Sequence, residues 1–319
     1  MQNNPIRIGT RESQLAVWQA NLAKQLLEEN GHKAELIYIK SEGDIDLITP
    51  LYAMGVQGVF TRSLDIALLG GKIDIAVHSM KDVPVQLPQG ISQAAVLKRA
   101  NYKDILVHSG QRTDDRIAAL REEYLSTVNP QLSSLIIATS SIRRRAQWLH
   151  RYPNTTIENL RGNVNTRLKK VAESNWDGAI FAAAGLERIN LRPENSIDLD
   201  WMLPAPAQGA IMVVGRTDDT HALEACSALN DSDTATCVKA ERDFLSALMG
   251  GCSTPISALA EIANGEILFK GNIITPDGKD KVEVEKIFSL RDAATAGAVA
   301  AQEILQNGGN GIIEKLKNG

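Results

Sequence analysis

Cysteines and aromatic side chains are both scarce in this chain of 319 residues, with three of the former and 4% of the latter. Cys226, Cys237 and Cys252 are odd in number and show no Cys-x-x-Cys spacing. That argues against a disulfide framework and against a zinc site, and for a reducing compartment. No apolar run approaches the ~20 residues needed to span a bilayer. The start, Met1 to Pro5, lacks the basic opening and apolar core of a signal peptide, so the expectation is a soluble cytoplasmic protein without membrane contact. An excess of one charge is missing too. Against 34 basic residues stand 38 acidic ones, a net charge of −4, so no global field favours nucleic acid. What is present is an ordinary globular composition, 44% apolar, in a chain long enough for two or three domains.

The stretch from Asp74 to Pro84 organises the rest. Ile75, Ala76 and Val77 read as a short buried strand of a parallel sheet, and His78, Ser79, Lys81 and Asp82 follow at once. Pro84 then stops the ladder. In open α/β sheets the ligand crevice lies at the carboxyl ends of the strands, so a cation, a hydroxyl and a carboxylate there suggest a site. An isolated Lys-Asp pair is better explained by a strand end with a solvated turn, but two further clusters of the same design follow.

Taken in order, Ile6 to Gly9 reads as the first strand. Leu15, Trp18, Leu22 and Leu26 then recur at helical spacing from Ser13 to the stop at Asn30 and Gly31. Arg11 and Ser13 therefore stand where helix N–H groups favour an anion, although Ser13 also serves as a plain N-cap. Ala34 to Lys40 is a second strand. Ser41 to Phe60 is a long polar connection, of a length that is usually functional or mobile. Arg62 to Leu69 is a short helix and Ser92 to Leu97 a strand. From about Tyr102 to Met202 the α/β pattern repeats, with strands at Ile105 to His108, Leu135 to Ala138, Ile157 to Leu160 and Ala179 to Ala182. A helix is expected at Arg112 to Tyr124. Three successive strand exits deliver arginine: Arg143 to Arg145 after Thr139 and Ser141, Arg161 to Arg167 around Gly162, and Arg188 after Gly185. Singly, each is explained by a solvated helix face. Their repetition at equivalent places points to a convergent anion site, and arginine's planar fork suits carboxylates.

Pro204 to Gly209 reads as a hinge, and Ala210 to Val214 as a strand returning to the first sheet, which makes the second unit an insertion. His221 to Asn230 and Asp233 to Met249 are helical, with Cys226 and Cys237 as packing residues or inert surface thiols. Cys252 differs, following Gly250 and Gly251, where a ligand can approach closely and an ionised thiol is a strong nucleophile. The tail alternates as strands at Glu266 to Ile274 and Lys281 to Phe288 and ends in a helix, Arg291 to Leu305, a small α+β domain.

Laid side by side, these clusters closely resemble the porphobilinogen deaminase (hydroxymethylbilane synthase) family nearly from end to end. The motifs are Ile6 to Ala16, Asp74 to Pro84, Thr139 to Arg144, Leu160 to Leu168, Ala183 to Arg188, Pro204 to Ala210 and Gly250 to Cys252. The resemblance implies two α/β domains like those of periplasmic binding proteins, the second inserted in the first, plus a small C-terminal α+β domain. Boundaries are expected at 1–100 with 204–228, at 101–203, and at 229–319. It implies a transferase, a monomer, that joins four porphobilinogen molecules head to tail and releases ammonia. It also implies a dipyrromethane cofactor held on Cys252 by a thioether and no metal. Asp82 matches the catalytic aspartate, stabilising the positive charge that develops on a pyrrole. Arg11, Ser13, Ser79, Lys81, Asp82, Thr139, Ser141, Arg143, Arg144, Arg161, Gly162, Arg167, Arg188 and Gln208 match cofactor-binding positions. Arg11, Gln19, Phe60, Arg161, Arg167, Ala182 and Arg188 match substrate-binding ones. The chain departs from the family pattern in lacking lysines between Ala53 and Phe60, in Asn165 and Ala207 where glycine is common, and in a long segment from Ser109 to Ser134. A two-lobed anion-binding module without catalysis would also use an arginine-lined cleft, but needs neither a third domain nor a cysteine on a glycine loop. A nucleic-acid binder could use Arg143 to Tyr152 as a basic, aromatic stripe, but the stripe is short and the net charge negative.

Overall fold

The structure, a computed structural model, describes residues 4–40, 61–108, 135–248 and 254–318. The loop expected at Ser41 to Phe60, the helix expected at Arg112 to Tyr124, and the site residues Phe60 and Cys252 lie outside the described residues.

Strands β1 (Ile6–Thr10), β2 (Ala34–Tyr38), β3 (Ile75–Ser79), β4 (Ile91–Leu97) and β10 (Ile211–Arg216) form one sheet in the order β2-β1-β3-β10-β4. Side chains alternate between its faces. Ile75, Val77 and Val213 pack in one core with Ala20, Ala23 and Leu27 of helix α1 (Gln14–Glu29). Ala76, Met212 and Val214 pack in the opposite core with Leu64 and Leu68 of α2 (Arg62–Leu69). Burial on both faces is why these strands read as unbroken apolar runs. β2 stops at Tyr38, short of the expected Lys40.

A second sheet contains β5 (Asp104–His108), β6 (Ile136–Ala138), β7 (Thr156–Glu158), β8 (Gly178–Ala182) and β9 (Ser196–Asp198), in the order β7-β6-β8-β5-β9. Helices α3 (Ile142–Arg151), α4 (Val164–Glu173) and α5 (Ala183–Glu187) belong to this lobe. The two sheets share one plan: three parallel strands, then an antiparallel fourth and a fifth antiparallel to that. In each, the antiparallel fourth strand (β10 or β5) is the one on which the chain enters from the other lobe. The two crossovers run side by side, the Ala100 N–H donating to Gly209 O at 3.1 Å. Gly209 has φ +86°, and a Cβ there would lie 2.7 Å from Ala100 O, so the crossing demands glycine. The second lobe is thus inserted between β4 and β10. Ile157 to Leu160, expected as a strand, pairs only to Glu158, because Leu160 turns into the core and its carbonyl accepts the Ser140 hydroxyl.

After α6 (Thr220–Ser227), which packs on the first sheet through Ala222, Ala225 and Cys226, comes α7 (Ser232–Ala247). The chain then forms an antiparallel meander of β11 (Ile256–Ala263), β12 (Glu266–Ile274) and β13 (Lys281–Ser289), with α8 (Ala293–Ile304) and α9 (Asn310–Asn318). The sequence reading passed over β11 and α9. The tail helix also begins at Ala293, not Arg291. It kinks at Asn307 and Gly308, the latter with φ +107°, and resumes as α9. Cys226 and Cys237 are both free and buried, and burial pushes their thiols up to about 12 and about 11, so they are packing residues.

Candidate active site

The polar clusters sit where strands end. β1 releases the chain into Arg11 and into Ser13, whose hydroxyl caps α1 by accepting the Ala16 N–H at 3.4 Å. Ser79, last residue of β3, accepts at 2.9 Å from Gln19 Nε2, and Gln19 is buried on α1. His78 beside it is buried in neutral form. Burial, with Arg11 adding to it, pushes its imidazole down to about 3. Met80 to Asp82 then make one 3₁₀ turn that presents Lys81 and Asp82, both half-buried.

From the second lobe, Arg143 and Arg144 meet this turn through a carboxylate that the sequence reading missed. Asp104 opens β5 and is fully buried. It accepts from Arg143 Nη2 at 2.7 Å, from Arg144 Nε and Nη2 at 3.1 and 2.8 Å, and from Gln208 Nε2 at 2.9 Å. Arg143 also donates to Leu203 O and Arg144 to Ile180 O. Gln208, in the hinge, accepts from Lys81 Nζ at 3.2 Å and donates to Tyr102 O. The chain Lys81–Gln208–Asp104–Arg143/Arg144 therefore runs from one lobe, through the crossover, into the other. Two guanidinium groups bond one buried carboxylate directly, and Lys81 reaches it through Gln208. Asp104 is held far below the usual carboxylate range by the arginines, against its own burial. Lys81 is pushed down to about 8, first by burial and then by Arg144, with Asp82 opposing. Arg145, the third of the run, is exposed.

The remaining arginines gather at the exits of β7 and β8. Gly162 has φ +113°, a conformation L side chains rarely adopt, and its carbonyl accepts from Arg167 Nε at 2.7 Å. Asn163 caps α4 through the Thr166 N–H, which sets Arg167 on that helix's first turn. Arg167 is pushed down to about 10 by burial, then by Arg144, while Asp82 opposes and Arg161 adds to the lowering. Arg167 thus feels charges from both lobes at once. Arg161 itself is buried. Arg188 donates to Gly209 O at 2.6 Å and lies over the Trp18 ring at 5.7 Å, joining the lobes again. Across the same cleft Asn165 Nδ2 donates to Gln14 Oε1 at 3.1 Å.

Three expected residues play quieter parts. Thr139 is buried and accepts the Ser141 N–H, and Ser141 caps α3 through the Arg144 N–H at 3.4 Å. Ala182 ends β8 and lies opposite Asp104 in the ladder. The structure brings Lys81, Asp82, Gln208, Arg143, Arg144 and Arg167 into one electrostatic cluster, with Arg11, Ser79 and Gln19 at the first lobe's strand ends. Missed entirely were Asp104, Glu241 and Arg242. For Asp104 a signal was available, an acidic residue opening an apolar strand directly after the crossover.

Two family models match the chain. One describes the porphobilinogen deaminase dipyromethane cofactor binding domain and spans residues 6–224; the other describes the porphobilinogen deaminase C-terminal domain and spans 235–306. Among solved structures, a methionine binding protein is similar at 13% identity and TM-score 0.42, over 73% of this chain and 93% of that one. An ancestral cationic amino acid solute binding protein is similar at 14% identity and TM-score 0.41, over 70% and 86%. A periplasmic domain of Bordetella pertussis BvgS gives 14% identity and TM-score 0.39 over 70% and 86%.

Proposed function

The chain belongs to the porphobilinogen deaminase family, and we propose that the residues of its cleft divide the family's reaction as follows. That reaction is a transferase reaction, hydroxymethylbilane synthesis in tetrapyrrole biosynthesis: four porphobilinogen molecules are joined head to tail and ammonia is released, on a dipyrromethane cofactor.

The donor set fits such a cofactor. A group bearing acetate and propionate side chains presents a row of carboxylates, and the cleft offers more cationic charge than its own carboxylates balance. Lys81 and Arg167 are lowered first by burial and then by Arg144, and the second of these causes supports this. Arg11, Ser13, Ser79, Lys81, Thr139, Ser141, Arg143, Arg144, Arg161, Gly162, Arg167, Arg188 and Gln208 would hold it, and the Cys252 thiol would attach it. When bound, the cofactor supplies the nucleophilic pyrrole carbon from which the product chain grows.

The chain's own residues do the rest. Loss of ammonia from porphobilinogen leaves a cation-like methylene pyrrole, and the Asp82 carboxylate stabilises that charge where it develops. Asp82 also takes part in moving the proton released when the new bond forms. Arg11, Arg161, Arg167 and Arg188, with Gln19, Phe60 and Ala182, receive the incoming monomer. The observation that carries this reading is the hydrogen-bonded run from Lys81, beside Asp82, through Gln208 and Asp104 to Arg143 and Arg144 of the other lobe. We take the working unit to be a monomer. We place it in the cytoplasm, where thiols stay reduced.

The test is the intact mass of the purified protein. An excess equal to two deaminated porphobilinogen units, absent in Cys252→Ser, supports the assignment of the thiol. A Cys252→Ser protein that still carries the excess refutes it. Asp82→Ala should fold and keep the adduct yet not turn over.

A further inference from the structure

The turn that carries Asp82 is held from outside its own domain. Arg242 on α7 is buried and donates from Nη1 to Val83 O at 3.0 Å and to Met80 O at 3.4 Å. From Nη2 it donates to Pro84 O at 2.6 Å and Val85 O at 3.3 Å. These carbonyls flank Asp82 on both sides in sequence. A planar guanidinium with its donors in a rigid fork can meet several carbonyls only when the turn is in one conformation. Packing agrees with the hydrogen bonds: Val85 lies against the core of the C-terminal unit, and Val238 of α7 lies in the first lobe's core with Met80.

The preceding residue of the same helix does the corresponding job at the crossover. Glu241 is fully buried, receives Arg99 through both oxygens at 2.6 and 3.2 Å, and accepts the N–H groups of Ala207 and Ala260 at 2.6 and 2.8 Å. One turn of α7 is therefore bound both to the hinge and to the turn bearing Asp82.

We propose that Arg242 is a positioning residue for Asp82, fixing the Met80–Val85 backbone to α7 so that the carboxylate stands where charge develops. The proposal rests on the reading of Asp82 given above. A misplacement of ~1 Å at a reacting centre costs on the order of 100-fold in rate, far more than it costs in substrate binding.

The test compares wild type, Arg242→Lys, Arg242→Gln and Asp82→Ala as purified holoproteins, with intact mass, thermal stability, kcat and KM measured for each. Arg242→Lys keeps the charge and loses the fork. It should retain the adduct mass, and its kcat should fall about 10- to 100-fold with KM changed less than about threefold. A Lys variant with lowered stability but wild-type kcat, beside an inactive Asp82→Ala, overturns the proposal alone. A raised KM at unchanged kcat does the same. Full turnover by Asp82→Ala overturns the reading of Asp82 and the proposal with it. If Arg242→Lys does not fold, Arg242→Gln carries the test; failure of both to fold assigns Arg242 to stability and overturns positioning.

Discussion

Replacing Asp104 by asparagine isolates the charge at the centre of the seam between the lobes. Asp104 is fully buried and accepts three guanidinium N–H bonds from Arg143 and Arg144, together with one amide N–H from Gln208. Asparagine keeps the shape, removes the charge and puts an N–H where an acceptor stood. Two guanidinium groups, about 5 and 7% exposed as side chains, are left without their counter-charge. Breaking a buried pair from one side costs ~3–5 kcal/mol. In a domain of this size that lowers the melting temperature by on the order of 10 °C. The dependence on pH has a definite sign. The folded-state pKa is depressed, so the carboxylate's contribution is present above its unfolded value of ~3.9 and is lost as pH falls below it. Thermal unfolding of both proteins from about pH 2 to 8 should show the full gap from about pH 5 upward, narrowing only as pH falls below ~4. Lys103→Ala is the control, since its partner Asp200 is mostly exposed and such pairs contribute less than ~1 kcal/mol. An Asp104→Asn protein within ~1 kcal/mol of wild type at pH 7 would refute the view that this carboxylate carries the seam's charge balance.

Other outcomes follow from the same geometry. Since Lys81 is pushed down to about 8, its charge is lost as pH rises through that value, so its hold on the cofactor's carboxylates should weaken on the alkaline side. Gain of the adduct mass by the apoprotein should slow from about pH 7 to 9, and Lys81→Arg should move that limb upward; a rate of adduct gain that is flat over this range would remove Lys81 from carboxylate binding. Gly162→Ala forces a Cβ to within 2.8 Å of the Thr166 side chain at φ +113°. It should lose ~1–3 kcal/mol in urea unfolding and release the carbonyl that orients Arg167. Titration of the native protein with a thiol reagent should leave Cys226 and Cys237 unmodified until denaturant is added, because both are buried and their thiols lie near 12 and 11. Rapid reaction of either would contradict their burial.

Features that depend on neighbours along the chain were legible from residues alone. The N-caps at Ser13 and Ser141 bond three residues ahead, and a short apolar run such as Ile75 to Val77 declares a strand covered on both faces. The polar clusters at strand ends were legible for the same reason, since the end of a strand and the start of a helix are both local events. Burial and pairing were not. Whether Arg143 meets solvent, a carboxylate ligand or a protein carboxylate depends on Asp104, 39 residues away, and on where the crossover brings it. Arg242 and Glu241 read as ordinary charges on an amphipathic helix, yet they bind the Asp82 turn and the hinge across as many as 162 residues. β11 escaped notice because its pairing with β12, rather than a local alternation, makes it a strand. α9 escaped because Gly308 breaks the helical pattern before it resumes. The order of residues thus determined the elements, their caps and the chemical kinds gathered at their ends. Tertiary packing alone decided which charges are neutralised inside the protein and which remain for a ligand, because that choice is made by desolvation and by contacts between residues distant in the chain.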